Sequence, residues 1–245
     1  MLNFKNVQED IINDVYKSIK IKGFILQTDK PEWQKKFNVY RFIRKDNYGN
    51  EQYISLKFYK FSKYIKVEIQ YKIKIAALYS YLDNIINKLG CDEFVSPRFE
   101  FAIYSNIGSV IPPRNDHKKE EVDYSYYIYQ ESDLKEISKL IQNDIQDYVF
   151  PFFNHNTSVY KVDLLLNSNE SYIYCRYLPL CACYGLLAAK INESPNLSSL
   201  ITSYEKEMND PGTNESDLKL FNVLLSDLNK DNLPINNLQI NFTEI

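Results

Sequence analysis

Residues Lys57 to Ile75 read KFYKFSKYIKVEIQYKIKI, in which six lysines stand among aromatic rings against a single acid, Glu68, for a local charge of +5. Ammonium groups in such a row can neutralise phosphates or carboxylates, and the rings can stack on bases or fill a partner's pockets. Other chemistry is thinly supplied. His117 and His155 are the only histidines and lie far apart in sequence, so a histidine-rich metal cluster is excluded and a histidine general base has two candidates. There are six glycines and no GxGxxG or GxxxxGK(S/T) pattern, so no glycine loop cradles a nucleotide phosphate. A GxSxG elbow and a catalytic-cysteine signature are also missing from the sequence. Cys91, Cys175, Cys181 and Cys183 lack CxxC spacing, and on a helix Cys181 and Cys183 would point about 200° apart. The four thiols therefore read as buried and structural, with neither a zinc site nor a disulfide framework.

Periodicity decides how much of the basic stretch is left for binding. From Ile65 onward, Ile65, Val67, Ile69, Tyr71, Ile73 and Ile75 share one face of a strand, and Lys66, Glu68, Gln70, Lys72 and Lys74 share the other. In the preceding strand, Glu51 to Phe61, Ile54, Leu56 and Phe58 point inward and Tyr53, Lys57 and Tyr59 outward. An antiparallel sheet with one wet face needs such lysines for solubility alone. The candidate partner-binding residues on that face are Tyr53, Lys57, Tyr59, Lys66, Glu68, Lys72 and Lys74, with Lys66, Lys72 and Lys74 expected to be exposed.

The surrounding elements follow from the same signals. A capping-box-like Asn6 to Glu9 opens an amphipathic helix that ends before Gly23, a strand Phe37–Arg44 turns at Asp46 to Asn50, and Ala76–Leu89 is a helix stopped by Gly90. Strands are predicted at Arg98–Tyr104, with Phe99, Phe101 and Ile103 on one face, and at Val122–Tyr129, joined by a solvated loop holding Arg114 and His117. Helices follow: one from Ser132 that Pro151 terminates, an apolar and therefore central Leu178–Ile191, one from Ser194-Pro195 through Met208, and a last one from Asn214. The fold class is α+β. An antiparallel sheet with packed helices occupies residues 1–130, and an all-helical C-terminal part, residues 131–245, packs on it. Residues 192–245 hold nine acids and three bases, a net of −6, opposite in sign to the sheet, so the two surfaces pack together or the acidic helices face a basic partner.

The N-terminus carries Glu9 and Asp10 where a secretory signal needs a basic and then an apolar segment, which makes a cytoplasmic protein the expectation. The longest apolar run, Tyr177 to Ala189, is shorter than the roughly 18–20 residues of a membrane span. No cofactor is expected.

Two resemblances bear on function. Helix, three antiparallel strands, helix and strand over residues 6–104 resemble the core of the restriction-endonuclease-like nucleases, and Gln70-Tyr71-Lys72 resembles their E/Q-x-K strand motif. That resemblance implies a divalent metal and a water held by an upstream acid, here Asp46 or Glu51, together with Glu68, Gln70 and Lys72. A second resemblance covers about residues 5–155: the opening helix into Gly23-Phe24, Trp33, the strands ending in KVEIQYKI and the helix closing on VFPFFN are similar to the bacterial family called domain of unknown function 4304, from which this chain departs by a helix at Ala76–Leu89. It implies an accessory or immunity-type protein and supplies no functional residues. The leading expectation is a non-enzymatic factor that binds another protein, such as a toxin, rather than nucleic acid or membrane; the alternatives are a metal-dependent nuclease and a nucleic-acid-binding module.

Overall fold

In a computed structural model, residues 2–29, 31–89, 101–111, 124–156, 158–169, 171–175, 177–230 and 233 are described. The first helix, α1 (Phe4–Lys20), is capped by Asn3, whose side chain accepts the amides of Lys5 and Asn6, so the helix starts a turn before the capping box suggested by the sequence. Its inward stripe, Val7, Ile11, Ile12, Val15 and Ile19, is buried at the helical spacing. Among the described residues six strands build one antiparallel sheet: β1 (Ile25–Leu26), β2 (Val39–Lys45), β3 (Glu51–Lys60), β4 (Ile65–Lys74), β5 (Ile103–Asn106) and β6 (Tyr126–Ile128). A short helix, α2 (Glu32–Lys36), lies between β1 and β2.

The β2–β3 turn is locked by the Asp46 carboxylate, which accepts the amides of Tyr48 and Asn50 and the Asn50 side chain, while Gly49 supplies a φ of 83°. Asn50 in turn caps the next helix, α3 (Ala76–Lys88), by accepting the Ala76 amide. Strand order is β1-β2-β3-β4-β5, with β6 also on β4. β5 pairs with Gln70 to Ile73 and β6 with Ile65 to Val67, both antiparallel to β4, so they are two collinear halves of one edge strand opened by an excursion between them. At the start of that excursion Gly108 lies against the Tyr124 ring so closely that an added Cβ would sit 2.2 Å from it. The strand predicted at Arg98–Tyr104 is shifted to Ile103–Asn106, and the one predicted at Val122–Tyr129 is the three residues of β6; residues 98–100 and 122–123, like Arg114, His117 and Cys91, lie outside the described residues.

The inner face of the sheet is covered by helices. α4 (Leu134–Asp144) passes into a π-helical segment, Ile145–Val149, and then into α5 (Phe150–His155), which carries Phe150 and Phe153 onto Phe24, and Phe152 and Phe153 onto Tyr71. Pro151 thus stands inside a continuing helical path instead of ending it. The π segment opens the ladder one turn early, and Pro151 falls in the first turn of α5, where its missing N–H costs nothing. Beyond it come α6 (Val159–Leu166), α7 (Ser171–Tyr174), α8 (Leu178–Ile191), α9 (Leu197–Met208) and α10 (Glu215–Leu228). As its composition requires, α8 is central, with eleven consecutive residues from Pro179 to Ala189 buried. A single apolar cluster joins α1, the sheet, α3 and the later helices. No helix among the described residues is long and apolar enough to cross a membrane.

Candidate functional site: the outer face of the sheet

Register lays the outer face out row by row. Arg41, Ser55, Gln70 and Asn106 form one row across β2, β3, β4 and β5; Ile43, Tyr53, Lys72 and Tyr104 form the next. In the other direction along β3 come Lys57 opposite Glu68, and then Tyr59, Lys66 and Tyr127 across β3, β4 and β6. Every outward residue of β3 and β4 is therefore where period two put it. What period two could not give is what lies over them.

Near β5 the face is closed. Phe101, just ahead of β5, meets Tyr53 edge-on with centroids 4.9 Å apart, and the Arg41 guanidinium lies 5.7 Å from the Tyr53 ring and 5.8 Å from the Phe101 ring. The Lys72 ammonium sits 4.7 Å from Phe101 and 4.4 Å from Tyr104. Tyr53 is left 6% exposed and Lys72 8%, so the expectation of a wet Lys72 is corrected: its charge is held on two aromatic faces instead of in water. Phe101 was placed with Ile103 on one strand face; in the fold it precedes the strand and crosses to the opposite side. The buried Ser55 hydroxyl in this region has no hydrogen-bond partner among the described residues.

Toward the β3–β4 turn the face is open. The Glu68 carboxylate accepts the Tyr59 hydroxyl at 2.7 Å and pairs with Lys66 at 3.0 Å. Lys57 lies 4.7 Å from the Tyr59 ring and 5.8 Å from Phe37, and Lys66 lies 5.6 Å from Tyr59. Partial burial, reinforced by the bond to Glu68, raises the Tyr59 phenol above its ordinary range, so it stays a protonated donor at any physiological pH. Beyond this row Tyr64 touches Phe61, Tyr127 and Tyr129 with centroid distances of 4.7, 5.4 and 5.6 Å, and Tyr127 stacks against Tyr129 at 6.4 Å. Phe61 and Tyr129 are 47% and 60% exposed, and Phe37, at the Lys57 end, is 51% exposed. Tyr129 is fixed from behind, because the Asp133 carboxylate accepts its amide and that of Gln130 and is drawn below its ordinary range by those bonds. The result is a half-exposed platform of rings interleaved with lysines. Lys74, half-buried at the far end, covers the Tyr79 ring at 4.1 Å and stands apart from it.

The residues that a nuclease centre would need are not gathered. Glu51 pairs with Lys74 in register and Glu68 stands six residues farther along β4, about 20 Å away at roughly 3.3 Å per residue. Glu51 forms an ion pair with Lys45 at 2.6 Å, and Asp46 is consumed by its turn. Among the described residues no three of His, Cys, Asp and Glu are grouped to hold a metal. No protein-family model, curated protein or solved structure matches the chain.

Of the seven residues singled out from sequence, Lys57, Tyr59, Lys66 and Glu68 converge on the open platform, Tyr53 and Lys72 belong to the closed end, and Lys74 is separate. Phe37, Phe61, Tyr64, Tyr127 and Tyr129 complete the platform and were not singled out. Phe61 and Tyr64 flank the turn with the parity of Tyr59 and Lys66, a signal that the sequence did contain. Tyr127 and Tyr129 arrive through β6, whose pairing with β4 has no local signature. The thiols Cys175, Cys181 and Cys183 are buried; Cys175 donates to the Tyr177 carbonyl, and Cys181 donates to the Leu166 carbonyl and lies within 3.8 Å of the Tyr204 hydroxyl. Burial raises Cys183, which leaves it unreactive.

Proposed function

We propose that the protein is a non-enzymatic binding factor whose ligand is another protein, engaged through the platform Phe37, Lys57, Tyr59, Phe61, Tyr64, Lys66, Tyr127 and Tyr129. The observation that carries this reading is the exposure of Phe61 and Tyr129 on a cluster of touching rings that the fold itself does not bury. Aromatic residues with few rotamers are what anchor protein interfaces, and their hydroxyl tips tolerate a wet rim. One feature favours protein over nucleic acid. The rings tilt against one another, at interplanar angles of 31°, 68° and 55° around Tyr64, and so do not offer a run of parallel faces for successive bases. A cytoplasmic immunity-type role, in which the partner is a toxin that the contact neutralises, is the specific form of this proposal that the sequence resemblance suggests.

Placing a photoreactive benzoylphenylalanine at Tyr129 of the full chain, in cells that produce it, tests the reading. The expected product is a cross-link to one protein that disappears when Phe61 and Tyr64 are both changed to Ala. Cross-linking to nucleic acid, or to no macromolecule above a control at exposed Tyr160, would overturn it.

A further inference from the structure

Resting on that reading, we infer that the platform takes an acidic segment of its partner: a stretch carrying carboxylates around one or two apolar side chains. The apolar side chains meet Phe61, Tyr64 and Tyr129, and the carboxylates meet the lysines that ring them. Charge complementarity carries the inference. The two strands that meet at this turn bring Lys57, Lys63 and Lys66 to the platform end of the sheet, with Glu68 as the only acid between positions 57 and 68; Lys60, on the inner-face parity, lies over the Phe4 ring of α1 instead. Lys63 is exposed and Lys57 half-exposed, whereas Lys66, expected to be exposed, keeps 22% of its side-chain surface. Glu68 is engaged by the Tyr59 hydroxyl and Lys66, which ties it down on the sheet, while Lys63 is exposed at the tip. The Lys57 ammonium is held over Tyr59 and Phe37, beside the platform's rings. A basic or neutral segment would be refused at the same place, since it would set like charges together or strip water from the lysines without replacing it.

The probes are labelled peptides read by fluorescence anisotropy against the full chain. One is Glu-Asp-Glu-Leu-Phe-Glu-Asp-Glu, one replaces every acid by lysine, and a third probe is a twelve-nucleotide oligo-dT. The expected result is that the acidic peptide alone binds, that the double variant Lys57→Glu, Lys66→Glu weakens it about tenfold or more, that Tyr129→Ala weakens it about fivefold, and that Lys74→Glu, outside the platform, leaves it within about twofold. Raising salt should weaken binding as well. Equal binding of the acidic and basic peptides, no binding of the acidic one, or indifference to the lysine reversals would overturn the inference; tighter binding of oligo-dT would overturn it in favour of nucleic acid. The two proposals fail separately. A protein cross-linked from Tyr129 through a neutral or basic stretch removes this inference and leaves protein binding standing, and the circular-dichroism melt of each variant separates lost contact from lost fold.

Discussion

On opposite faces of β4, Ile69 and Lys72 differ in how far sequence alone accounts for them. Ile69 is 1% exposed within the inner cluster, so Ile69→Ala removes well-packed methyl and methylene groups and is expected to cost about 2–5 kcal/mol, read from urea denaturation. That burial was legible, because alternation over ten residues assigns every side chain to a face. Lys72 was assigned to the right face and the wrong environment, because the rings that cover it, Phe101 and Tyr104, come about thirty residues later and lie partly outside any strand. Lys72→Ala is accordingly expected to cost about 1–2 kcal/mol, as a desolvated cation lifted from two aromatic faces, while Lys63→Ala at the exposed turn should stay within about 0.5 kcal/mol. Equal small effects for the two lysines would show that the face near β5 is open to water. Among the helices, Gly185 has a comparable local logic: an added Cβ would stand 2.6 Å from the Asn167 amide oxygen, inside the group in which Asn167 donates to the Gly185 carbonyl and to Asp163 and accepts from the Tyr204 hydroxyl. Gly185→Ala should therefore destabilise, by about 1–3 kcal/mol from overpacking, although alanine is the better helix former.

At the level of elements, strands and helices with strong internal period were legible from sequence, whereas elements made by pairing were not. β2, β3, β4, α3 and α8 lie within a few residues of their predicted bounds, since each is long enough for its apolar spacing to repeat. β5 and β6 are four and three residues long and exist because β4 offers an unpaired edge to them, so their limits follow from register, which no local pattern encodes. The platform inherits that blindness, as two of its eight residues, Tyr127 on β6 and Tyr129 just past it, arrive that way. Pro151 failed as a stop signal for a different reason. A proline breaks a helix by its missing N–H and by the clash of its ring with the carbonyl four residues back, and the preceding π segment has already displaced that ladder. Replacing it should consequently have little effect: Pro151→Ala is expected to change stability by less than about 1 kcal/mol in a thermal melt, and a gain or loss of several would mean that the proline itself fixes the path from α4 to α5.

Across the whole molecule, the acidic helices α9 and α10 pack on α8 and α3, and polar links fasten α10 there. One of them ties α3 to α10: the Tyr81 hydroxyl donates to Asp227 at 3.0 Å, and Lys230 binds the same carboxylate. The hydrogen bond from Lys230, helped by Tyr81, holds Asp227 below its ordinary range, and burial together with that carboxylate holds the Tyr81 phenol above its own. A depressed carboxylate is deprotonated more readily in the folded than in the unfolded chain, so the unfolded state binds more protons as acid is added. Its stabilising contribution is complete above the unfolded value near pH 3.9 and is lost as pH falls through the lower folded value. Because Lys230 is exposed and Asp227 only partly shielded, the contribution should be below about 1 kcal/mol. Asp227→Asn is then expected to lower the urea midpoint slightly at pH 7 and to match the wild type at pH 2.5, narrowing the gap between the two proteins as acid is added. Tyr81→Phe should produce the same convergence in smaller measure, since it removes one of the two groups that depress the carboxylate. A gap that stays constant from pH 7 to pH 2.5 would mean that Asp227 acts through packing of α10 on α3, and that the tie between the sheet's helix and the acidic C-terminal part carries no charge-dependent stability.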